Sequence, residues 1–239
     1  MNPAEIYLEE TELNNPQRLI EGYTSFLLDN SEIESLPVDI HKIYSEFDLK
    51  RPEAKKLKDR RGFYDPSNGI VLINSADKGT VQRFTAAHEL MEMLFECCQE
   101  RIPDGFVDSR LDLDDDEKEV LCEKGAAKLL MPMDLFREGV VEHGVSISAA
   151  KEISNICETS LTATLKRMVK TDLEECAFII CKNMNKPSEN LPSERNINTL
   201  FEDSEVKDPP KKLRIKHITS SPQCDKFIPK NKSIGERTK

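Results

Sequence analysis

The stretch VQRFTAAHELMEMLFECC, residues 81–98, has the composition of a helix that lies in a protein interior. Apolar side chains recur at helical spacing and cover nearly its whole circumference: Phe84, Ala87, Leu90, Met91, Leu94 and Phe95. A helix that is hydrophobic all round is buried. We therefore expect the polar side chains of this stretch to be buried too, and buried charges need partners or a metal ion.

Two of these polar side chains, His88 and Glu92, are one helical turn apart and share a face. Glu89 lies beside them, about 100° around the helix axis. In the zinc-peptidase motif H-E-x-x-H, this spacing lets two side chains bind one metal ion while the glutamate reaches an attacking water molecule. Here a glutamate replaces the second histidine, and a carboxylate is also a competent zinc ligand. The spacing predicts a Zn²⁺ site, with Mn²⁺ as the alternative because oxygen-rich ligation favours it.

A third ligand is available in the next predicted helix, residues 117–130, where Glu119 and Glu123 are one turn apart. Glu119 follows Glu92 by 27 residues, which is enough for a helix–loop–helix return. The alternative is an ordinary helix in which His88 only forms ion pairs with nearby carboxylates, since His-Glu-x-x-Glu alone is a weak pattern. The apolar surroundings favour the metal site.

The remaining segments predict an α+β fold. A turn cluster, Asp65 to Gly69, is followed by β-branched residues, which predicts a hairpin with strands near 61–65 and 69–74. Helical spacing or helix start and stop signals mark five further stretches: 18–29, 37–48, 112–132, 133–144 and 146–171, the last divided near 158–160. A strand-like run follows at residues 176–181.

The composition indicates a surface-rich chain without a membrane span. Hydrophobic residues make up 38% and charged residues 33% of the chain. No apolar run approaches the ~18 residues that cross a bilayer. The first residues lack the basic and apolar regions of a secretory signal. The seven cysteines are an odd number without CxxC spacing, which favours reduced thiols and a cytoplasmic location.

The net charge of −10 is unevenly distributed. Residues 183–239 contain 12 Lys and Arg against 8 Asp and Glu, a net of +4, which leaves −14 for residues 1–182. A body this acidic is poorly suited to hold a phosphate backbone, so direct DNA binding is disfavoured. The DNA-binding alternative would use residues 146–170, whose second helix carries three basic residues.

Three blocks in the same order, over roughly residues 36–170, resemble the ImmA/IrrE-type metallopeptidases. The block GFYDPSNGIVLINSADKGTVQRFTAAHEL is similar to the family's hairpin followed by an R-F-T-x-A-H-E-L helix. The block EVLCEKGAAKLLMP is similar to E-x-x-A-N-x-F-A-x-x-L-L-M-P and places Glu119 on the metal-binding glutamate. Cys122, Glu123 and Gly125 depart from that second pattern.

The third block, residues 145–168, resembles a helix-turn-helix-like module that ends in Ser160, Ala163 and Arg167. The resemblance implies a gluzincin-like fold, with helices on a small sheet and a metal ion between two helices. It also implies an intracellular endopeptidase that cleaves a helix-turn-helix transcriptional repressor, so that stress or mobile-element genes are derepressed.

Residue roles also follow from the resemblance. Glu89 is the general base, His88 and Glu119 are metal ligands, and Glu92 takes the place of the second histidine. Tyr64 on the hairpin could steady the oxyanion, although a half-buried strand tyrosine is the alternative.

These expectations divide the chain into a metallopeptidase-like domain (1–132), a helix-turn-helix-like helical module (133–182) and a linker with a partly ordered basic tail (183–239). The expected function is that of a metal-dependent endopeptidase acting on a protein substrate. Because the second histidine is absent, the alternative is a catalytically silent member of the fold that binds and regulates a repressor.

Overall fold

The computed structural model describes residues 2–11, 15–65, 68–101, 113–186, 211–225 and 229–230. The chain forms two compact units, Met1–Met168 and Val169–Lys239. The helices of the first unit are α1 (Pro3–Glu9), α2 (Pro16–Asn30), α3 (Ile40–Glu46), α4 (Gly79–Arg101), α5 (Asp115–Leu130), α6 (Met133–His143), α7 (Ile147–Ile156) and α8 (Leu161–Met168). Its strands are β1 (Glu53–Lys55), β2 (Gly62–Asp65) and β3 (Ile70–Asn74). The predicted α+β class is confirmed.

Strand β3 lies at the centre of a three-stranded sheet with the order β1-β3-β2. Strands β2 and β3 are antiparallel, with Phe63 opposite Leu72, which confirms the predicted hairpin. Strand β1 joins β3 in parallel, with Ala54 opposite Ile73. The sequence did not predict β1, because its three residues are all exposed and show no apolar alternation. It is a strand only through its pairing with β3.

Helix α4 is the interior helix that residues 81–98 predict. Leu90, Met91 and Leu94 are completely buried. The helix packs against α1, α2, α3 and α5 and against strands β2 and β3. Each large apolar side chain that is fully buried contributes roughly 1.5–3 kcal/mol. The candidate ligands of α4 are therefore carried by a helix whose position is determined from several sides.

Helix α5 begins at a capping box. The Asp114 carboxylate accepts a hydrogen bond from the Glu117 N–H, and the Glu117 carboxylate accepts one from the Asp114 N–H. The acidic residues of its first turn interact favourably with the helix dipole. At Gly125, a Cβ atom would lie 2.5 Å from Met91 Sδ and 2.8 Å from the Ile20 side chain. The glycine therefore permits the close approach of α5 to α4 and α2.

Helices α7 and α8 are separate, with a break at residues 157–160 close to the predicted position. Arg167 of α8 is buried, and its Nε donates a hydrogen bond to the carbonyl oxygen of Met131 at the end of α5. Arg167 thus stabilises the fold and is not exposed for contact with nucleic acid. This weakens the DNA-binding alternative, which counted it among the basic residues of a recognition helix.

The second unit contains a short 3₁₀ helix (Val169–Thr171) and two antiparallel strands, β4 (Ala177–Met184) and β5 (Lys212–Ser220). Strand β4 extends the run predicted at 176–181. Strand β5 lies within the predicted basic tail.

Most of the predicted linker, residues 187–210, and the end of the tail, residues 231–239, lie outside the described residues. The domain boundaries expected at 132 and 182 stay a prediction. Within the part of the chain that the structure describes, no helix is long and apolar enough to cross a membrane.

Candidate metal centre

His88, Glu92 and Glu119 come together where α4 packs against α5. His88 Nε2 lies 3.5 Å from Oε1 of Glu92 and 3.4 Å from Oε2 of Glu119. One potential ligand atom of each residue lies within 4.8 Å of those of the other two. His88 and Glu92 share a face of α4 because they are four residues apart. Glu119 reaches them from the second turn of α5.

The spacing of these atoms fits a divalent cation. Zinc bonds to nitrogen and oxygen are about 2.0–2.2 Å long in a tetrahedral site, which places neighbouring ligand atoms about 3.4 Å apart. Both separations measured from His88 agree with that distance. One imidazole and two carboxylates form a donor set that suits zinc and also manganese. The three residues therefore fit a divalent metal ion.

The surroundings of Glu92 favour its ionised, carboxylate form. The hydrogen bond with His88 lowers the pKa of Glu92 to about 2; burial opposes this shift, and Lys118 adds to it. Lys118 Nζ lies 2.7 Å from Oε2 of Glu92. The buried thiol of Cys122 also hydrogen-bonds with the Glu92 carboxylate. The carboxylate is therefore ionised at neutral pH and is held between α4 and α5.

Glu89 is only 7% exposed and lies on the side of α4 that meets β2. The backbone of Tyr64 forms a hydrogen bond with its carboxylate. A Cβ atom at Gly62 would lie 3.2 Å from Oε1 of Glu89, so the glycine leaves space beside this oxygen. Burial raises the pKa of Glu89 to about 7, although the charge of His88 opposes the shift. The surroundings of the candidate base Glu89 thus favour its neutral form, whereas those of Glu92 favour the ionised form.

The imidazole of His88 is mostly buried among these acidic groups, with 14% of its side chain exposed. Burial lowers the pKa of His88, but the hydrogen bond with Glu92 and the charges of Glu119 and Glu89 outweigh it, so the pKa is raised. These contacts are also those of an ion-pair cluster, which is the alternative that the sequence left open.

The two secondary candidates do not join the cluster. Glu123 is exposed, and among the described residues the group that could hold a metal contains His88, Glu92 and Glu119 without it. Burial raises the pKa of Tyr64, and among the charges that raise it further is that of Glu96, which is not a candidate ligand. The oxyanion role of Tyr64 stays a prediction.

The sequence pattern did not predict that Lys118 belongs to this site, and it assigned no role to Cys122. Both contact Glu92 from α5 and lie one helical turn apart. The signal in the sequence was their i, i+4 spacing on either side of Glu119. That spacing shows that the two residues share a face, but it does not show that the face meets Glu92.

Comparison with known proteins gives a consistent result. The profile of the Peptidase M78 family, described as the IrrE N-terminal-like domain, matches residues 48–168. The chain is 28% identical over 143 residues to the radiation response metalloprotease IrrE of Deinococcus deserti, covering 60% of the chain and 51% of that protein. It is 28% identical over 140 residues to the radiation response metalloprotease IrrE of Deinococcus radiodurans, covering 57% of the chain and 42% of that protein.

The chain therefore spans about half the length of the curated relatives that it matches. Among solved structures, a Mycobacterium tuberculosis transcriptional regulator gives a TM-score of 0.49 at 11% identity, covering 70% of the chain and 62% of that protein. A likeness at this level supports no argument about function.

Proposed function

Because the chain belongs to the Peptidase M78 family, with its IrrE N-terminal-like domain, we propose that it is a metal-dependent endopeptidase. The matched residues 48–168 include the whole cluster between α4 and α5. One observation carries the proposal: the ligand atoms of His88, Glu92 and Glu119 lie within 4.8 Å of one another, and the buried Glu89 is next to His88 in the chain.

In this proposal His88, Glu92 and Glu119 hold the metal ion, Zn²⁺ or alternatively Mn²⁺. The bound ion would supply Lewis-acid chemistry to a peptide carbonyl and to water. Glu89 is the general base, which accepts a proton from the attacking water and returns it to the leaving amine. The apolar residues around α4 limit the access of bulk water to these groups.

The proposed substrate is a helix-turn-helix transcriptional repressor, whose cleavage would derepress stress or mobile-element genes. Support for this part comes from the family resemblance of the three sequence blocks and from the similarity to two radiation response metalloproteases. A cytoplasmic setting is proposed with it, supported by seven cysteines that form no disulfide bond.

A second candidate function is that of a catalytically silent module that binds a repressor without cutting it. The contact between Lys118 and Glu92 favours this alternative, because an ammonium group can satisfy the carboxylate without any metal ion. The two functions differ in metal content and in peptide-bond cleavage, so one set of measurements separates them.

The test compares the wild-type protein with Glu89→Gln. The wild type is expected to bind one equivalent of Zn²⁺ or Mn²⁺, measured by elemental mass spectrometry. When it is added to a lysate of the source organism, sequencing of protein N-termini should reveal new termini in a helix-turn-helix protein. Glu89→Gln should keep the metal and lose at least about 100-fold in cleavage rate, since general-base catalysis contributes that much or more.

The control is Glu138→Gln, a change at an exposed glutamate of α6 that should keep full activity. If the wild type binds neither metal at micromolar concentration, the peptidase proposal fails. If Glu89→Gln loses the metal, the roles given to Glu89 and Glu92 are wrong.

A further inference from the structure

The ammonium group of Lys118 contacts one oxygen of Glu92, and the other oxygen faces His88. Lys118 Nζ lies 2.7 Å from Oε2, whereas His88 Nε2 lies 3.5 Å from Oε1. The side chains of Lys118 and Glu92 are only 20% and 21% exposed, so this is not one of the solvated surface pairs that contribute little. The two oxygens of the Glu92 carboxylate therefore have different partners: Oε1 faces the ligand cluster, and Oε2 binds Lys118 of α5.

The formal charges of the ligand set indicate what the contact between Lys118 and Glu92 does. In an H-E-x-x-H site with one further glutamate, two neutral imidazoles and one carboxylate leave a divalent cation with a net charge of +1. With Glu92 in place of the second histidine, two carboxylates reduce that net charge to zero. The ammonium group of Lys118 adds one positive charge at the substituted position and restores +1.

We propose that Lys118 is a charge-balancing residue of the proposed metal site. It offsets the negative charge that Glu92 brings in place of a histidine. This inference rests on the proposed function. Lys118 does not bind the metal; it acts through Glu92, and the bound ion is the largest charge that it influences.

This role predicts the sign of a change in metal affinity. An ammonium group on the far oxygen of a ligand repels a divalent cation, so its removal should tighten metal binding and not weaken it. Even with the dielectric constant of water, Coulomb's law gives an effect of at least about tenfold for a unit charge about 5 Å from a divalent ion. A lysine that only supports the fold would have the opposite effect or none.

The experiment measures the Zn²⁺ affinity of the full chain by competition with a chromophoric chelator. Lys118→Met should bind Zn²⁺ at least about tenfold more tightly than the wild type. Lys124→Met is the matched control, since it removes the same charge from an exposed position of α5. Its affinity should stay within about threefold of the wild type, because solvent screens a distant exposed charge.

A second pair of variants tests compensation. Glu92→His should bind Zn²⁺ at least about tenfold more weakly, since Lys118 then faces a neutral imidazole and its charge is in excess. The double variant Glu92→His/Lys118→Met should return to within about threefold of the wild type, as expected for two directly coupled residues. Far-ultraviolet circular dichroism of each zinc-free variant checks that it is folded.

The inference is overturned if Lys118→Met binds Zn²⁺ with unchanged or lower affinity, if Lys124→Met has the same effect, or if the double variant shows no compensation. If Glu92→His does not fold, the comparison of Lys118→Met with Lys124→Met decides alone. A wild-type protein that binds no Zn²⁺ is a different result, because it removes the proposed function itself. The results for Lys118→Met, Lys124→Met and the double variant that overturn the inference leave the proposed function unaffected.

Discussion

Glu92 occupies the position of the second histidine of H-E-x-x-H, and the groups around it suit a carboxylate. Lys118 and Cys122 both direct donors at it from α5. A carboxylate has two oxygens and can accept from both donors while it still faces His88. A neutral imidazole has a single acceptor nitrogen and would leave one of these donors without a partner. At the scale of single residues, the donors of Lys118 and Cys122 therefore match a carboxylate at position 92 better than an imidazole.

Burial of Cys122 leads to a prediction about thiol reactivity. Burial raises the pKa of the Cys122 thiol and raises that of Cys157 to about 11, and thiols react as thiolates. At neutral pH, iodoacetamide should therefore modify the buried thiols (Cys97, Cys98, Cys122 and Cys157) at least about tenfold more slowly than the partly exposed ones (Cys176, Cys181 and Cys224).

Quantitative mass spectrometry of cysteine-containing peptides measures each rate. Unfolding in denaturant provides the control, since all seven thiols should then react at similar rates. Early modification of Cys122 in the folded protein would contradict its position between α4 and α5.

At the scale of elements, the contact between α4 and α5 decides whether the site exists. His88 and Glu92 come from one helix and Glu119 from the other, so a small shift between the helices separates the ligands. The close approach at Gly125 sets this spacing, since Met91 and Ile20, which a side chain there would meet, are completely buried. The family pattern has phenylalanine at this position, and the present chain has no room for one.

Gly125→Ala should destabilise the protein although alanine is the better helix former. The gain in helix propensity is about 1 kcal/mol, but inserting a methyl group into a packed core costs about 1–3 kcal/mol. We expect a net loss of about 1 kcal/mol in the free energy of unfolding, measured by urea denaturation.

Gly139→Ala is the matched control, because a Cβ atom there meets Ile153 at 4.0 Å, an ordinary contact. This variant should be more stable than the wild type by up to about 1 kcal/mol. A stabilised Gly125→Ala variant would show that α5 is not tightly packed on α4 and α2.

At the scale of the whole molecule, the proposed metal site joins segments that are distant in the chain. Between His88 and Glu119 the chain completes α4, passes through residues 102–112 and enters α5. Residues 102–112 lie outside the described part of the chain. Any ligand that binds only the folded state stabilises it. A cation held by both helices should therefore oppose unfolding of the unit Met1–Met168 as a whole.

Metal addition should raise the midpoint of thermal unfolding. At a free concentration 100 times its dissociation constant, the ion contributes about 2.7 kcal/mol to stability. Differential scanning calorimetry with Zn²⁺, and again after chelation with EDTA, measures the shift and its reversal.

His88→Ala should abolish most of this shift. His143→Ala should keep it, because His143 lies on α6, where it is 3.2 Å from Glu152. An equal shift in both variants would place the stabilising ion elsewhere, for example on cysteine thiolates.

The sequence by itself determined what depends on neighbours along the chain. Helix α4, the hairpin β2–β3 and the capping box of α5 follow from local spacing, turn residues and end signals. His88 and Glu92 had to share a face, since the period of the helix sets the angle between residues four apart. The apolar circumference of α4 also predicted that these groups would be buried, and the structure leaves 14% of the His88 side chain and 21% of the Glu92 side chain exposed.

Only the tertiary structure decided what depends on how the helices pack. It brought Glu119 and not Glu123 to His88, directed Lys118 and Cys122 at Glu92, buried Arg167 against the end of α5, and made β1 a strand by pairing it with β3. Local spacing shows which residues share a face, but the rotation and approach of one helix on another depend on side-chain packing between them. That packing includes the close approach at Gly125, where an added Cβ atom would lie 2.5 Å from Met91 Sδ and 2.8 Å from the Ile20 side chain.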